Sequence, residues 1–180
     1  MEIREATEND IPTIRSVARE SWRSAYADAV PESVVEDAVA AWYADETMTR
    51  IVGDDEQVCL VATDESEAQS ASEDASGERS EPRVGEIVGF AHGATDDGEG
   101  DILRLYVHPD RWHEGIGTAL LEAMEDRLTE MGAERVQAMV LADNEMGNAF
   151  YESHGFEKTD EAETQLDGTT RTENVYAKAH

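Results

Sequence analysis

Two glycines, Gly115 and Gly117, stand where a predicted strand meets a predicted helix. They follow an apolar run at 102–107 and a break at Pro109, and behind them apolar residues recur at helical spacing up to Met131. The first N–H groups of a helix have no partner inside the helix, and the helix dipole is positive at that end. This stretch therefore predicts a site for an anion, and a phosphate group suits it.

The turn lacks residues that two common phosphate-binding motifs require. A P-loop needs a lysine after its last glycine, whereas Gly117 is followed by Thr118. A dinucleotide-binding fingerprint needs a third glycine three residues after the second, and Leu120 stands at that position. Both motifs are disfavoured, and a tight strand–helix turn without any ligand is the simpler alternative.

The elements that position this turn can be predicted along the chain. Apolar spacing predicts strands at 2–6, 57–63, 84–94, 102–107, 135–141 and 173–178, and another strand that begins at 155–156. It predicts helices at about 11–26, 34–42, 116–131 and 144–154, the last capped by Asn144. Glycines within 84–94 indicate a bulge or a close backbone approach. Residues 64–83 are small, polar and acidic, and we expect a solvated loop insertion there.

The composition is strongly acidic, with 42 Asp and Glu against 14 Lys and Arg and a formal net charge of −28. This charge indicates adaptation to a salty cytoplasm, and it makes nucleic acid and anionic membranes poor partners. The N-terminal sequence is not a basic apolar leader, and no apolar run approaches the roughly 20 residues that span a bilayer, so we expect a cytoplasmic protein. Cys59 is the only cysteine, and we expect it to be a buried hydrophobe.

Two segments together resemble the GNAT superfamily of acyl-CoA-dependent N-acetyltransferases. In that family a strand ending in Leu-x-Val and a proline loop lead into Q/R-x-x-G-x-G/A, which matches Leu105-Tyr106-Val107-His108-Pro109 and the glycine turn. Trp112 stands at the Q/R position, with Arg111 one residue early and Glu114 where a basic residue is common. The second segment matches the looser form of N-x-x-x-x-A-x-x-F/Y-Y-x-x-x-G-F through Asn144, Ala149, Phe150, Tyr151, Gly155 and Phe156.

The resemblance implies one α/β domain over residues 1–180. Its central sheet would be mixed, mostly antiparallel and of six or seven strands, flanked by about four helices, with the acidic insertion at 64–83 outside the family pattern. The implied function is transfer of an acetyl group from acetyl-CoA to a primary amine by direct attack in a ternary complex. A non-catalytic module of the same fold that binds acyl-CoA for regulation or assembly is the alternative.

The resemblance also implies which residues hold acetyl-CoA. Backbone groups of Leu105, Tyr106 and Val107 would bind the pantetheine arm, and an N–H near Val107 would polarise the thioester carbonyl. The pyrophosphate would be held by the loop and the helix start, namely Trp112, His113, Glu114, Gly115, Ile116, Gly117 and Thr118. Asn144 and Tyr151 are the remaining residues that the resemblance places in contact with acetyl-CoA. Tyr151 is the family-matched acid for the departing thiolate, and a packed aromatic that only hydrogen-bonds the sulfur is its alternative.

For the amine acceptor, the sequence and the resemblance offer candidates both for binding and for the general base. The resemblance places Trp22 and Tyr26 beside the amine acceptor, although both suit a core equally well, and we expect Trp42 to be a core aromatic. Asp101 and His92, the latter directly or through a water, are the candidates for the general base, and a structural role is the alternative for each. His108 and His113 lack the spacing of a metal site, so no metal is expected. The expected partners are acetyl-CoA and an amine, either a small molecule or a peptide N-terminus, and a homodimer is left open.

The acidity predicts that folding depends on salt. The Debye length falls to about 3 Å near 1 M salt, so repulsion among the carboxylates is screened there and is strong in dilute buffer. We expect the melting temperature to rise steeply between low salt and molar KCl, measured by circular dichroism. A melting temperature that does not change over this range would contradict the prediction.

Overall fold

The computed structural model describes residues 1–26, 30–64, 85–166 and 168–180. Seven strands form one sheet in the order β1-β2-β3-β4-β5-β7-β6. The strands are β1 (Glu2–Glu5), β2 (Gln57–Asp64), β3 (Glu86–Asp96), β4 (Glu99–Val107), β5 (Arg135–Leu141), β6 (Glu157–Leu166) and β7 (Thr169–Ala179). Only β4 and β5 pair in parallel, and the other neighbours are antiparallel. The prediction of a mixed, mostly antiparallel sheet is confirmed.

Five α-helices of the described residues accompany this sheet, one more than the four that the sequence indicated. They are α1 (Ile11–Ala25), α2 (Glu32–Trp42), α3 (Asp45–Val52), α4 (Ile116–Glu130) and α5 (Glu145–Ser153). The helix that the sequence did not reveal is α3, which buries only Met48 and Ile51 and is too short for a clear apolar period. Asp64, the first residue of the predicted insertion at about 64–83, ends β2, and residues 65–83 lie outside the described part of the chain.

Helices cover both faces of the sheet. Helices α1, α2 and α3 enclose a core on one face that includes Ile14, Tyr43 and Phe90. On the other face α4 and α5 pack over a second core, to which Leu120 and Met124 belong. None of the helices in the described ranges is long and apolar enough to cross a membrane.

The glycines of β3 bring α4 close to the sheet. The register between β3 and β4 shifts at His92/Gly93, which is the bulge that the glycines indicated. A Cβ on Gly93 would lie 2.7 Å from the sulfur of Met124 in α4 and 3.1 Å from the carbonyl oxygen of Asp101, so a side chain at this position would force its neighbours to shift. The sequence prediction of a bulge with close packing is therefore confirmed. Cys59 is also buried, as expected, and burial raises its pKa to about 12.

Strands β4 and β5 run side by side for only part of their length. Their parallel pairing covers Glu99–Ile102 of β4 and Arg135–Ala138 of β5, and it stops there. On its other side β4 stays paired with β3 up to Val107. The second half of β4 therefore has a free edge towards β5 within the described sheet, and the sheet is open at this point.

Candidate active site

A cavity of about 910 Å³ lies where β4 and β5 separate. Its lining comes from both faces of the sheet, because the gap between the strands connects them. On the face of α4 it includes Val107, Trp112, His113, Gly115, Gly117, Thr118, Phe150 and Tyr151. On the face of α1–α3 it includes Trp22, Tyr26, Trp42, Arg50, His92 and Arg104. Two residue sets that are far apart in the sequence thus share one cavity.

The glycine turn forms the start of α4. Gly115 caps the helix with φ of +81°, a left-handed conformation that favours glycine. The first helical hydrogen bond runs from the N–H of Ala119 to the carbonyl of Gly115, 3.0 Å away, so the N–H groups of residues 116–118 have no acceptor within the helix. These donors, together with the helix dipole, provide the backbone cradle that a phosphate requires.

The loop before α4 is held by side chains that point back to the protein. Trp112, at the Q/R position of the motif, donates from Nε1 to the carbonyl of Val107 at 2.8 Å. Arg111 donates to Glu114 at 2.7 Å and to Asp64 at 2.6 Å. The negative charge of Glu114 beside the turn is therefore matched by a guanidinium. Glu114 and the buried Ile116 do not line the cavity, so any anion here depends on backbone donors.

Tyr151 lies in the cavity wall near this turn. Its ring packs on Phe150, Phe156 and Tyr176, with centroids 5.3, 5.3 and 6.1 Å away. Burial raises the pKa of Tyr151 well above its usual value near 10, so the phenol stays protonated at neutral pH. Within the described residues its hydroxyl has no hydrogen-bond partner, which leaves the proton free for a ligand.

Asn144 connects α5 with α1. Its Oδ1 accepts from the N–H of Gly147 at 2.9 Å, which confirms the predicted cap of α5. Its Nδ2 donates to the hydroxyl of Tyr26 at 3.1 Å. This contact fixes Tyr26 in the wall of the cavity, on the side opposite the glycine turn.

Three aromatic side chains form the wall beside Asn144. Trp22 packs on Tyr26, with centroids 4.9 Å apart, and both residues are buried and line the cavity. The prediction that Trp42 is a core residue is wrong, since 40% of its surface is exposed and it packs edge-on against Trp22 at 5.4 Å. The reason is its place at the last residue of α2, where the helix reaches the cavity rim and the next residue, Tyr43, takes the core position.

His92 is a buried residue of the cavity wall, and both of its ring nitrogens have partners. Arg104 lies 2.8 Å from Nδ1, and the side-chain oxygen of Gln57 lies 2.9 Å from Nε2. A guanidinium can only donate, so Nδ1 accepts and the proton of the neutral ring is on Nε2. Burial and then the charge of Arg104 lower the pKa of His92 to about 4. The ring is therefore neutral at physiological pH.

Asp101, the other predicted base, lies near the opposite end of β4. Its Oδ1 accepts from Gln137 at 2.6 Å, and it does not line the cavity. Six residues along an extended strand separate it from Val107, a distance of about 20 Å. Among the described residues, the carboxylate that does line the cavity is Glu173 of β7, whose pKa is raised by burial. The sequence shows no motif around Glu173, so only the order of the strands reveals it.

Comparisons with known proteins agree with this geometry. Residues 15–156 match the sequence model of the acetyltransferase (GNAT) family. A spermidine N(1)-acetyltransferase of Thermoplasma acidophilum is 27% identical over 161 residues, which cover 89% of this chain and 90% of the relative.

Solved structures show the same fold. A PaiA N-acetyltransferase of Thermoplasma acidophilum, in complex with coenzyme A, superposes with a TM-score of 0.79 at 24% identity, covering 99% of this chain and 98% of that one. A GCN5-related N-acetyltransferase of Rhodopseudomonas palustris superposes with a TM-score of 0.73 at 20% identity, covering 99% and 95% of the two chains. The family match spans most of this chain and includes both motifs and the strand gap. The chain therefore belongs to the GNAT family and is an N-acetyltransferase that uses acetyl-CoA.

Proposed function

We propose that this enzyme acetylates a small primary amine by direct attack, with acetyl-CoA and the amine bound together in the cavity between β4 and β5. The observation that supports this most strongly is that one cavity joins the start of α4 to the aromatic wall of Trp22, Tyr26 and Trp42. Acetyl-CoA supplies the acetyl thioester, a C–N bond forms as the C–S bond breaks, and one proton leaves the amine while the thiolate gains one.

The cofactor side would use the elements that the motifs identified. The free edge of β4 offers backbone groups of Leu105, Tyr106 and Val107 to the pantetheine arm in the manner of an added strand. The turn at 112–118 would hold the pyrophosphate through its backbone, with Thr118 at its rim. Support comes from the unpaired strand edge and from the N–H groups at the start of α4, which need acceptors.

The acceptor would enter from the face of α1–α3. The curated relative is named for spermidine, which makes a polyamine one acceptor to test. The aromatic wall suits the apolar part of an amine, and Glu173 is the carboxylate within reach of the same space. A cytoplasmic, salt-rich setting remains a prediction from the sequence.

For the leaving thiolate we propose Tyr151 as the general acid. The raised pKa keeps its proton in place until a thiolate develops charge beside it. The thiol of a free cysteine has a pKa of about 8.5, below that of the phenol, so the transfer is uphill unless the apolar surroundings of Tyr151 also raise the pKa of the thiol. The ring is held by three aromatic neighbours and its hydroxyl is uncommitted, which is the arrangement such a donor needs.

Replacing Tyr151 by Phe tests this role. Because the ring and its packing stay, acetyl-CoA affinity should remain within a few fold, while kcat should fall by about 10²–10⁴, the usual contribution of a general acid. Release of CoA thiol and acetyl-CoA binding by calorimetry measure the two effects. Tyr176→Phe is the matched control, because Tyr176 stacks on Tyr151 but its hydroxyl contacts Asn148 and Glu152, at 2.9 and 3.0 Å. Equal turnover of Tyr151→Phe and the control would exclude the acid role.

For the base we propose Glu173, alongside the sequence candidates Asp101 and His92. An alkyl ammonium group with a pKa of about 10.4 must lose a proton before it attacks. Glu173 lines the cavity, and burial raises its pKa, which makes the carboxylate a better proton acceptor. His92 has Nδ1 occupied by Arg104, and Asp101 lies outside the cavity.

The pH profile distinguishes these three residues. A base acts only when deprotonated, so kcat/KM should rise with pH through the pKa of Glu173, which lies above the ordinary value of 4.5. Glu173→Gln should remove that rise and lower kcat/KM about 10²–10⁴-fold at neutral pH. His92→Gln and Asp101→Asn are measured in the same buffers. A profile that keeps its rise in Glu173→Gln and loses it in one of the other two variants would assign the base to that residue instead.

A further inference from the structure

Two arginines differ in their surroundings from the other basic residues that the structure describes. Among the described residues, every arginine and lysine except Arg50 and Arg104 has a carboxylate oxygen within 4.0 Å. Acidic residues outnumber basic ones 42 to 14 in this sequence, so a cation without such a neighbour is unexpected. Both exceptions line the cavity described above. Asp54 influences Arg50 only at longer range.

Arg104 is held in place by groups other than carboxylates. Its Nη1 donates to Nδ1 of His92 at 2.8 Å, and its Cζ lies 4.9 Å from the centre of the Tyr43 ring. Of the five N–H donors of a guanidinium, this uses one. The remaining donors have no hydrogen-bond partner among the described residues, and Arg104 borders the cavity. A partly buried guanidinium with unused donors is suited to a ligand anion.

The contact to His92 is itself fixed by a hydrogen-bonded chain. Gln57 donates from Nε2 to Asp54 at 2.9 Å, so its side-chain oxygen faces His92 and accepts from Nε2–H of the ring. Nδ1 must then accept, and the donor available to it is Arg104. His92 therefore acts as a positioning residue that orients the guanidinium while adding no charge of its own.

Arg104 points away from the phosphate cradle. Side chains alternate along a strand, so Arg104 and Tyr106 share the face of α1–α3. Tyr106 packs against the core of that face, whereas Val107 belongs to the core under α4, whose start forms the cradle. The free donors of Arg104 are thus on the acceptor side of the sheet, together with Trp22 and Trp42.

The charges of the cavity favour an acceptor with charges of both signs. Its described lining includes Arg50, Arg104 and Arg111 but only one carboxylate, Glu173. Arg111 is matched by Asp64 and Glu114, so the charge that remains uncompensated is on Arg50 and Arg104. Beside these two guanidinium groups an ammonium group of a polycation such as spermidine is repelled and a carboxylate is attracted, and this local effect opposes the negative field of the protein as a whole.

We propose that Arg104, assisted by Arg50, binds a carboxylate of the acceptor, so that the enzyme acetylates a small amine that also bears a carboxylate, such as a free amino acid. This inference rests on the proposed function, because it names the acceptor class of the same site. The amine of that acceptor would lie towards Glu173 and the free edge of β4. Its carboxylate would lie towards Arg104, with the aromatic wall between the two ends.

Matched pairs of amines test the proposal on the unaltered enzyme. Ornithine and putrescine differ by one carboxylate, as do phenylalanine and phenethylamine, and spermidine represents the polycations. We expect kcat/KM to be at least about tenfold higher for the carboxylated partner of a pair, from one charge-assisted contact. Equal values within both pairs, or a preference for putrescine and spermidine, would overturn the proposal.

Substitution of Arg104 assigns the effect to this residue. The ratio to compare is kcat/KM for the carboxylated amine divided by kcat/KM for its decarboxylated partner. Arg104→Gln should lower this ratio by roughly 10- to 100-fold. Arg104→Lys keeps the charge without the forked donors and should lower the ratio less. Arg135→Gln is the control, because Arg135 pairs with Glu99 at 3.7 Å and does not line the cavity. A ratio that is the same in the unaltered enzyme, in Arg50→Gln and in a folded Arg104→Gln would overturn the assignment.

A binding measurement separates the failure of this proposal from failure of the proposed function. Thermal melts with CoA present are run with ornithine, putrescine or spermidine in molar KCl, and they require no turnover. Stronger stabilisation by ornithine, lost in Arg104→Gln, supports the carboxylate subsite even if no acetylation of these amines is detected. Equal shifts with ornithine and putrescine overturn the subsite even if acetylation of some amine is observed.

Discussion

The site depends on one constraint, which is the separation of β4 from β5 halfway along β4. The two strands pair over four residues of β4 and then separate, while β4 keeps its antiparallel partner β3. A backbone edge that is removed from water needs hydrogen-bond partners, and the protein supplies one of them itself through Trp112 and the carbonyl of Val107. The rest of the edge is left to a ligand. The same gap connects the two faces of the sheet, so that a donor on one side and an acceptor on the other can meet.

The residues around the gap lie on two opposite faces of the sheet. The start of α4, with its glycine cap and free N–H groups, is on one face, and the aromatic wall of α1 and α2 is on the other. Asn144 connects α5 with the aromatic wall, because it caps α5 and also donates to the hydroxyl of Tyr26. Tyr151 follows on the same helix. These residues are therefore positioned by a few short-range contacts around one opening in the sheet.

The sequence predicted the parts of this site that local rules govern. The glycine turn, the helix behind it and the Asn144 cap follow from backbone geometry within a few residues, and all three are confirmed. Glu173 could not be predicted, because it reaches the cavity only through the insertion of β7 between β5 and β6. Helical spacing predicts a core position for Trp42, because spacing does not show that α2 ends at the rim of the cavity. The sequence does carry a signal for Arg104, since a charge inside an apolar strand indicates a polar space beside it.

The claim that both substrates occupy one cavity and react directly is tested most directly by initial-rate kinetics. Acetyl-CoA and one acetylated amine are varied together, with CoA release measured in molar KCl. Direct attack in a ternary complex predicts double-reciprocal lines that intersect, and CoA release that requires the amine. Parallel lines, together with a stoichiometric burst of CoA before any amine is added, would show an acetylated enzyme and would contradict this account.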